Sequence, residues 1–233
     1  MTGRTILITG TSRGIGQALA EHFLALGDQV IGVARSAPEL SHPNYLHFNA
    51  DVGDEAQVQE VFNSIRKETK CLDALINNAG IARMNAFALT PVSNVKQIMD
   101  INFLGTFMFC QKAINLLRKS GNGRIINMTT VAVPLNLAGE AVYAASKSAV
   151  ESLTRIMAKE LGSFGITCNA IGPSPIETQL ISGVGSEKIG KLVQQQAIQK
   201  MAKIDDVINI VDFYLQPQSH MVTGQVLYLG GIS

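Results

Sequence analysis

The sequence has few charged residues and almost no imbalance between the two signs. Charged side chains make up 16% of the 233 residues, and 19 basic against 18 acidic residues leave a formal net charge of +1. A chain without an excess of either sign lacks the electrostatic footprint of a nucleic-acid-binding or membrane-surface protein. We therefore expect neither nucleic acid nor membrane among its partners.

Long apolar runs and paired cysteines are also missing. No apolar run reaches the roughly 20 residues that a membrane-spanning helix needs, and the first residues do not have the charged and apolar regions of a signal peptide. Cys71, Cys110 and Cys168 are scattered without a Cys-x-x-Cys pair, which is typical of reduced thiols. The four histidines show no metal-ligand spacing. These absences predict a cytoplasmic protein without a metal site.

What the sequence does contain is a regular alternation of β-rich runs and helical patterns, in a chain that is 46% hydrophobic. Unbroken, β-branched strands that alternate with helices favour a parallel sheet covered on both faces. We predict a single α/β doubly wound (Rossmann) domain over residues 1–233, with a seven-stranded parallel sheet and helices on both faces. The predicted strands are residues 4–9, 29–34, 45–49, 73–77, 123–128, 166–170 and 225–229, and helices are predicted at about 98–119, 187–200 and 205–215 among others.

The pair Tyr143 and Lys147 is the chemical centre of the sequence. Residues four apart lie on the same face of a helix, so the phenol and the ammonium should point the same way. A free tyrosine has a pKa of about 10, and a nearby cation lowers it by favouring the phenolate. The pair could then exchange a proton with a substrate oxygen near neutral pH. Alone, the same pattern also fits two surface residues of an amphipathic helix.

A glycine loop follows the first predicted strand and precedes the first helix. Glycine allows a tight turn and a close backbone approach, and a helix N-terminus offers free N–H groups to a phosphate. The spacing is G-x-x-x-G-x-G rather than the wider G-x-G-x-x-G pattern, and a purely structural turn is the alternative. The predicted cofactor-binding residues of the loop are Gly10, Thr11, Ser12, Arg13, Gly14, Ile15 and Gly16.

The end of the second strand indicates which dinucleotide would bind. A carboxylate there would hold the ribose 2′-OH of NAD, whereas arginine suits a 2′-phosphate. Here the strand is followed by Arg35, the first carboxylate is Glu39, and Arg13 adds a second positive charge. Because guanidinium pairs well with phosphate oxygens, we predict NADP(H) as the cofactor.

Four features stand in a fixed order along the chain: the glycine loop, the run Asn77-Asn78-Ala79-Gly80, then Asn102, then the Tyr143-x-x-x-Lys147 pair. Together they closely resemble the short-chain dehydrogenase/reductase family over essentially the whole chain. The resemblance implies hydride transfer between a nicotinamide and a carbonyl or alcohol carbon, with no metal. Catalytic roles are implied for Asn102, Thr130, Tyr143 and Lys147.

The implied roles are specific. Tyr143 would protonate the carbonyl oxygen during reduction, Lys147 would lower the pKa of that tyrosine and hold the nicotinamide ribose, and Asn102 would help to anchor a water. Thr130 stands where the family usually has a serine that polarises the substrate oxygen; it keeps the hydroxyl but adds a methyl group. Further cofactor contacts are implied for Asp51, Val52, Asn78, Ala79, Gly80, Tyr143, Lys147, Pro173, Ile176 and Thr178. Ser174 replaces a usual glycine beside Pro173.

The resemblance leaves the substrate open. The sequence is most like the 3-oxoacyl-carrier-protein reductase branch of the family. In that case Arg118, Lys119 and Arg124 would form a small basic patch on which the acidic carrier protein docks. Alternatives are a reductase of a small ketone, sugar or secondary-metabolite intermediate, and a non-catalytic NADP(H)-responsive binding protein. The apolar residues Val131, Val133, Leu135, Leu137, Ile181 and Val184 would line the pocket, with Glu140 and Gln179 as polar candidates. The apolar helix near residues 101–109 predicts a homodimer or homotetramer, although burial within the domain would also explain it.

Overall fold

The computed structural model describes residues 3–176 and 185–232, and seven strands of this part form one sheet. The strand order is β3-β2-β1-β4-β5-β6-β7, and every neighbouring pair is parallel. The predicted fold class is confirmed. The strands are Thr5–Thr9 (β1), Gln29–Ala34 (β2), Tyr45–Asn49 (β3), Ala74–Asn77 (β4), Arg124–Met128 (β5), Thr167–Gly172 (β6) and Val226–Tyr228 (β7).

The strand order reverses between β1 and β4. The chain builds outward from β1 through β2 to β3, then returns to place β4 on the other side of β1. In such sheets a crevice opens at the carboxyl ends of the strands where the direction changes, and ligands bind there. The glycine loop follows β1 and the run from Asn78 to Gly80 follows β4, so both end at this crevice.

Helices cover both faces of the sheet because each presents an apolar side to it. The helices are Gly14–Ala25 (α1), Glu55–Glu68 (α2), Val92–Met99 (α3), Gly105–Ser120 (α4), Ala132–Leu135 (α5), Ala141–Leu161 (α6), Ser186–Gln194 (α7) and Ile204–Leu215 (α8). Buried residues of α2, α4 and α6 share one core cluster with the sheet, and those of α1 and α8 share the other.

Two predicted helix boundaries were wrong. The helix expected from about residue 98 already begins at Val92, after Pro91, and continues through one π-helical turn, Asp100–Leu104, into α4. Its first turns expose weak helix formers, so the apolar period begins only at Ile98. The helix expected to reach residue 200 ends at Gln194. The backbone after it turns toward the C-terminal segment, and the N–H of Ile198 donates to the carbonyl of Gly230 there.

The apolar stretch at 101–109 is covered only in part within the chain. Ile101 and Phe109 are buried within the chain, whereas Leu104 is 39% and Phe107 37% exposed. The exposed pair lies on the helix side turned away from the sheet. The fold alone therefore does not cover this face.

Two polar residues at the end of β5 are hydrogen-bonded to α6. The side-chain amide of Asn127 donates to the Thr154 hydroxyl at 2.8 Å, and the hydroxyl of Thr129 donates to the Glu151 carboxylate at 2.6 Å. All four residues are buried. Buried polar groups that lose a partner cost about 1–3 kcal/mol, so these bonds fix how far α6 can slide along β5.

Arg124 does not belong to a surface patch. It begins β5, is only 2% exposed and donates through Nη1 to the carbonyl of Gly123 at 3.1 Å. Burial lowers the pKa of its guanidinium. The predicted basic patch was therefore wrong to include it, while Arg118 and Lys119 at the end of α4 are exposed.

The described residues contain three free cysteines, of which Cys110 and Cys168 are buried and Cys71 is half-buried. Within the same ranges no group of three or more His, Cys, Asp or Glu side chains could hold a metal ion. No helix found there has the length and apolar character to cross a membrane.

Candidate active site

Tyr143 and Lys147 lie one turn apart in the first part of α6, and both are buried, at 7% and 4% exposure. Alanines at positions 141, 144 and 145 favour the helix there. The spacing of four places both side chains on one face, and both line a cavity of about 330 Å³. The structure thus has the phenol and the amine facing the same cavity, as the spacing predicts.

Thr130 follows β5 and meets Tyr143 inside this cavity. Its hydroxyl hydrogen-bonds the phenol and also accepts the backbone N–H of Ala132 at 3.2 Å. Threonine at the position of the family's usual serine therefore places its oxygen beside the tyrosine. The two hydroxyls together offer two polar contacts to one oxygen of a bound molecule.

The pKa of Tyr143 moves in the opposite direction to the one expected from the sequence. Burial raises the pKa to about 12, the hydrogen bond with Thr130 opposes the rise, and the charge of Glu140 adds to it. The expectation counted only the neighbouring ammonium, whereas removal of the phenolate from water is the larger effect in this cavity. Tyr143 is consequently a neutral phenol near pH 7, which can donate a proton.

Lys147 is tied to the strand rather than to the tyrosine. Its Nζ donates to the backbone carbonyl of Met128 at 2.8 Å. Burial disfavours the ammonium and lowers the pKa of Lys147 to about 8. The side chain is therefore still mostly cationic at pH 7, and it loses its charge within about a unit above that.

Asn102 lies in the π-helical turn between α3 and α4 and is completely buried. Its side chain accepts from the N–H of Ile81 at 2.9 Å and donates to the Ile81 carbonyl at 2.9 Å and to the Ser146 hydroxyl at 3.0 Å. It does not line the cavity. Instead it fixes the loop after β4 against the helix of Tyr143. π-turns of this kind are frequent at functional sites.

The glycine loop is held by Asn78. The side-chain amide of Asn78 donates to the carbonyls of Thr9 and Gly10, at 3.0 and 3.3 Å. Gly10 and Gly14 have φ of 76° and 59°, which glycine adopts without strain. A Cβ on Gly16 would collide with the carbonyl of Gly10. The glycines are thus required by the turn itself, and Asn78 supports the loop as well as bordering the cleft.

A second cleft, of about 260 Å³, lies above the glycine loop and shares Ile15, Asn78 and Gly80 with the cavity of Tyr143. The first turn of α1 carries no acidic residue, so its N–H groups are available to an anion. The cleft and the cavity together fit a dinucleotide with its phosphates at α1. The predicted residues that line the cleft are Gly10, Ser12, Arg13, Gly14, Ile15, Arg35, Asp51, Val52, Asn78, Ala79 and Gly80.

Thr11 and Gly16 do not line this cleft. The side chain of Thr11 is fully buried below the loop, where its hydroxyl accepts from Tyr45 Oη at 3.0 Å. Gly16 is buried behind the loop. Both residues therefore shape the turn from within rather than line the cleft.

Asp51 and Asp54 have separate roles. Asp54 caps α2 by accepting the N–H of Gln57 at 3.1 Å, while Asp51 accepts the N–H of Gly53 at 2.9 Å and borders the cleft. Asp54 is therefore the N-cap of α2, and Asp51 lies at the edge of the cleft.

The segment after β6 closes the cavity of Tyr143. Pro173, Ser174 and Ile176 line it, and Ser174 is 4% exposed. Ile176 forms an isolated parallel bridge with Ala202, outside the seven-stranded sheet. Thr178, Gln179, Ile181 and Val184 lie outside the described residues. Of the other predicted lining residues, Val131, Leu137 and Glu140 line the cavity, whereas Val133 and Leu135 do not.

Sequence reasoning missed several residues. Ser146 lies between Tyr143 and Lys147 in the quoted motif, and its partnership with Asn102 needed the tertiary structure. Met84, in the loop after β4, and Leu192, in α7, also line the cavity. Their apolar character alone gave no signal, because apolar side chains are common in every part of the chain.

Comparisons with known proteins agree with this geometry. A family model described as Enoyl-(Acyl carrier protein) reductase matches residues 10–232. The chain is 32% identical over 237 residues to the 3-oxoacyl-acyl-carrier-protein reductase FabG of Vibrio cholerae. The aligned region covers 99% of this chain and 97% of that protein. The chain belongs to the short-chain dehydrogenase/reductase family. It is therefore an oxidoreductase that acts on carbonyl or hydroxyl groups, in a family that uses NAD(H) or NADP(H).

Other members of the family are similar over the same length. The NADPH-dependent aldehyde reductase-like protein of Arabidopsis thaliana chloroplasts is 30% identical over 254 residues, covering 99% of this chain and 94% of that protein. A short-chain dehydrogenase of Leptospira borgpetersenii, solved with bound NAD+, superposes with a TM-score of 0.90 at 26% identity, covering 100% of this chain and 93% of that one. The similarity thus includes relatives with different cofactors and substrates.

The lowered pKa of Lys147 predicts a pH limit for carbonyl reduction by this dehydrogenase/reductase. If Tyr143 donates the proton, the Lys147 ammonium would stabilise the phenolate left behind, and that ammonium is lost as pH rises through about 8. Tyr143 itself stays protonated throughout, with its pKa at about 12. We expect kcat/KM for reduction to be flat below about pH 7 and to fall above about 8, in a pH–rate profile.

The variant Lys147→Arg distinguishes this group from others. Guanidinium stays charged throughout the range, so whatever activity the variant keeps should lack the decline near pH 8. A decline at the same pH in Lys147→Arg would assign the limit to another group.

Proposed function

We propose that this protein is an NADPH-dependent carbonyl reductase that transfers hydride to the ketone of a 3-oxoacyl thioester. The observation that carries the proposal is the neutral phenol of Tyr143, hydrogen-bonded to Thr130, at the wall of a cavity that adjoins the dinucleotide cleft. A proton donor at that position is what reduction of a carbonyl requires.

The residues have distinct tasks in this mechanism. A bound nicotinamide dinucleotide would supply the hydride. Tyr143 donates its proton to the carbonyl oxygen, and Thr130 holds that oxygen with a second hydrogen bond. Lys147, which lines the same cavity, stabilises the resulting phenolate. Asn102 acts as a positioning residue through Ile81 and Ser146, with the family's water-anchoring role proposed for it as well.

The preference for NADP(H) is supported by charge. Arg13 and Arg35 both line the cleft and are exposed there, and Arg35 directly follows β2, where a carboxylate would favour NAD. The name of the Arabidopsis relative agrees with NADPH, whereas the Leptospira structure contains NAD+. The local residues of this chain favour the 2′-phosphate.

The substrate proposal combines the cavity lining with the relatives. Met84, Val131, Leu137 and Leu192 make much of the wall apolar, which suits an acyl chain, and the Vibrio cholerae relative acts by name on carrier-bound 3-oxoacyl groups. Arg118 and Lys119 remain as an exposed basic pair for an acidic carrier. A small aldehyde or ketone is the second candidate, favoured by the Arabidopsis relative. Since that relative is chloroplastic by name, the cytoplasmic location of this chain stays a prediction.

Replacement of Tyr143 by phenylalanine tests the chemistry. The change removes only the hydroxyl, and we expect the rate of NADPH oxidation to fall by about 10²–10⁴-fold, the usual contribution of a positioned acid. NADP+ affinity should change little, because the cleft is intact. The assay follows NADPH absorbance with acetoacetyl thioesters and a panel of small ketones. An active variant would remove Tyr143 from the acid role, and cofactor binding without turnover by the native protein on any substrate would favour a binding protein.

Replacement of Arg35 by alanine tests the cofactor. A lost hydrogen bond to a charged phosphate costs about 1.5–3 kcal/mol, so NADP+ should bind at least about tenfold more weakly while NAD+ affinity hardly changes. Isothermal titration gives both dissociation constants. Arg66→Ala, on α2 and outside the cleft, is the matched control. Tighter binding of NAD+ than NADP+ by the native protein would reject the proposal.

We also propose a homodimer or homotetramer built on the exposed side of α4. Leu104, Phe107 and Ile156 of α6 are 39%, 37% and 51% exposed, and a second subunit would cover such a face. Phe107→Glu should shift the light-scattering mass toward the monomer. Leu26→Glu, 58% exposed at the end of α1, should leave it unchanged. A native monomer would contradict this proposal.

A further inference from the structure

Glu140 is a carboxylate in the wall of the substrate cavity that the proposed reaction does not use. It immediately precedes α6, in the N-cap position, but its side chain does not cap the helix. Within residues 3–176 and 185–232 no side chain or backbone group pairs with its carboxylate through a hydrogen bond or ion pair. It lines the cavity with Tyr143, one turn further along the same helix.

Glu140 forms no ion pair with another of the described residues. Among the described residues that line the cavity, the ionisable ones are Glu140, Tyr143 and Lys147. Tyr143 is neutral, and the Lys147 ammonium donates its hydrogen bond to the Met128 carbonyl rather than to Glu140. Behind the wall, the Glu151 carboxylate accepts from Thr129 and pairs with Arg155 at 3.6 Å, so it offers no cation to Glu140. Burial also raises the pKa of Glu140, as expected for a carboxylate that water and cations reach poorly.

A carboxylate in this position acts on the charge of whatever enters. In a partly desolvated site, like charges repel far more strongly than in water. A ketone that carries its own carboxylate would bring a second anion against Glu140. An ester or thioester of the same acid brings no charge, and the apolar wall of Met84, Val131 and Leu137 accepts it.

We propose that Glu140 is a specificity-determining residue, a charge filter that excludes ketones bearing a free carboxylate and admits their uncharged esters and thioesters. This inference rests on the proposed carbonyl reduction and narrows its substrate class. It places the enzyme after a step that has already converted the acid group to an ester or thioester.

Acetoacetate and methyl acetoacetate test the filter, because they differ in charge and by one methyl group. Because burial raises the pKa of Glu140, the assay is run at about pH 8 to favour its ionised form, and we expect the native protein to favour the ester in kcat/KM with NADPH. In Glu140→Gln, which keeps the size and removes the charge, the ester-to-acid ratio should fall at least about tenfold, through a gain with the acid. Glu160→Gln, exposed on the same helix and about 30 Å along its axis, should leave the ratio as in the native protein.

Binding of the same two ketones to the complex with NADP+ gives a readout without turnover. The dissociation constants should show the same preference for the ester, and Glu140→Gln should reduce it. An unchanged ratio in Glu140→Gln, in both rate and binding, would overturn the charge filter. If neither ketone is reduced while binding still discriminates through Glu140, the proposed function fails and the filter stands.

Discussion

The hydrogen bonds between the end of β5 and the face of α6 are the constraint on which the site depends. Asn127 pairs with Thr154, the Met128 carbonyl with Lys147, Thr129 with Glu151, and Thr130 with Tyr143. Four consecutive residues of the chain are thus matched to positions along one helix. Because each pair is buried, a slip of the helix by one turn would leave several polar groups without partners. The phenol is positioned by this register rather than by any single contact.

The same burial that fixes the register sets the chemistry. Removal from water raises the pKa of Tyr143 and lowers that of Lys147. The cavity therefore contains a neutral phenol and an ammonium that loses its proton more easily than in water. That combination keeps the proton on the phenol at neutral pH, as the proposed acid role of Tyr143 requires. The strand order brings the glycine loop of β1 and the loop of β4 to the same crevice, and the dinucleotide cleft opens next to the cavity for that reason.

Much of this could be predicted from the sequence. Strands β2 and β3 were predicted with the bounds that the structure has, because each is a short, mostly apolar run between turn residues. The common face of Tyr143 and Lys147 follows from helical spacing alone. The start of α3 at Val92 was missed since its exposed residues carry no apolar period, and Arg124 was placed on the surface because arginine rarely occupies a buried strand position.

Local pattern by itself determined the strand and helix types, the glycine turn and the shared direction of the tyrosine and the lysine, since each depends on neighbours a few residues apart. Tertiary structure alone decided the burial of Arg124, the inward side chain of Thr11, the partnership of Asn102 with Ser146 and the sign of the tyrosine's pKa shift. Those properties depend on how much water the packed elements exclude and on which distant groups they bring into contact, and no short stretch of sequence contains that information.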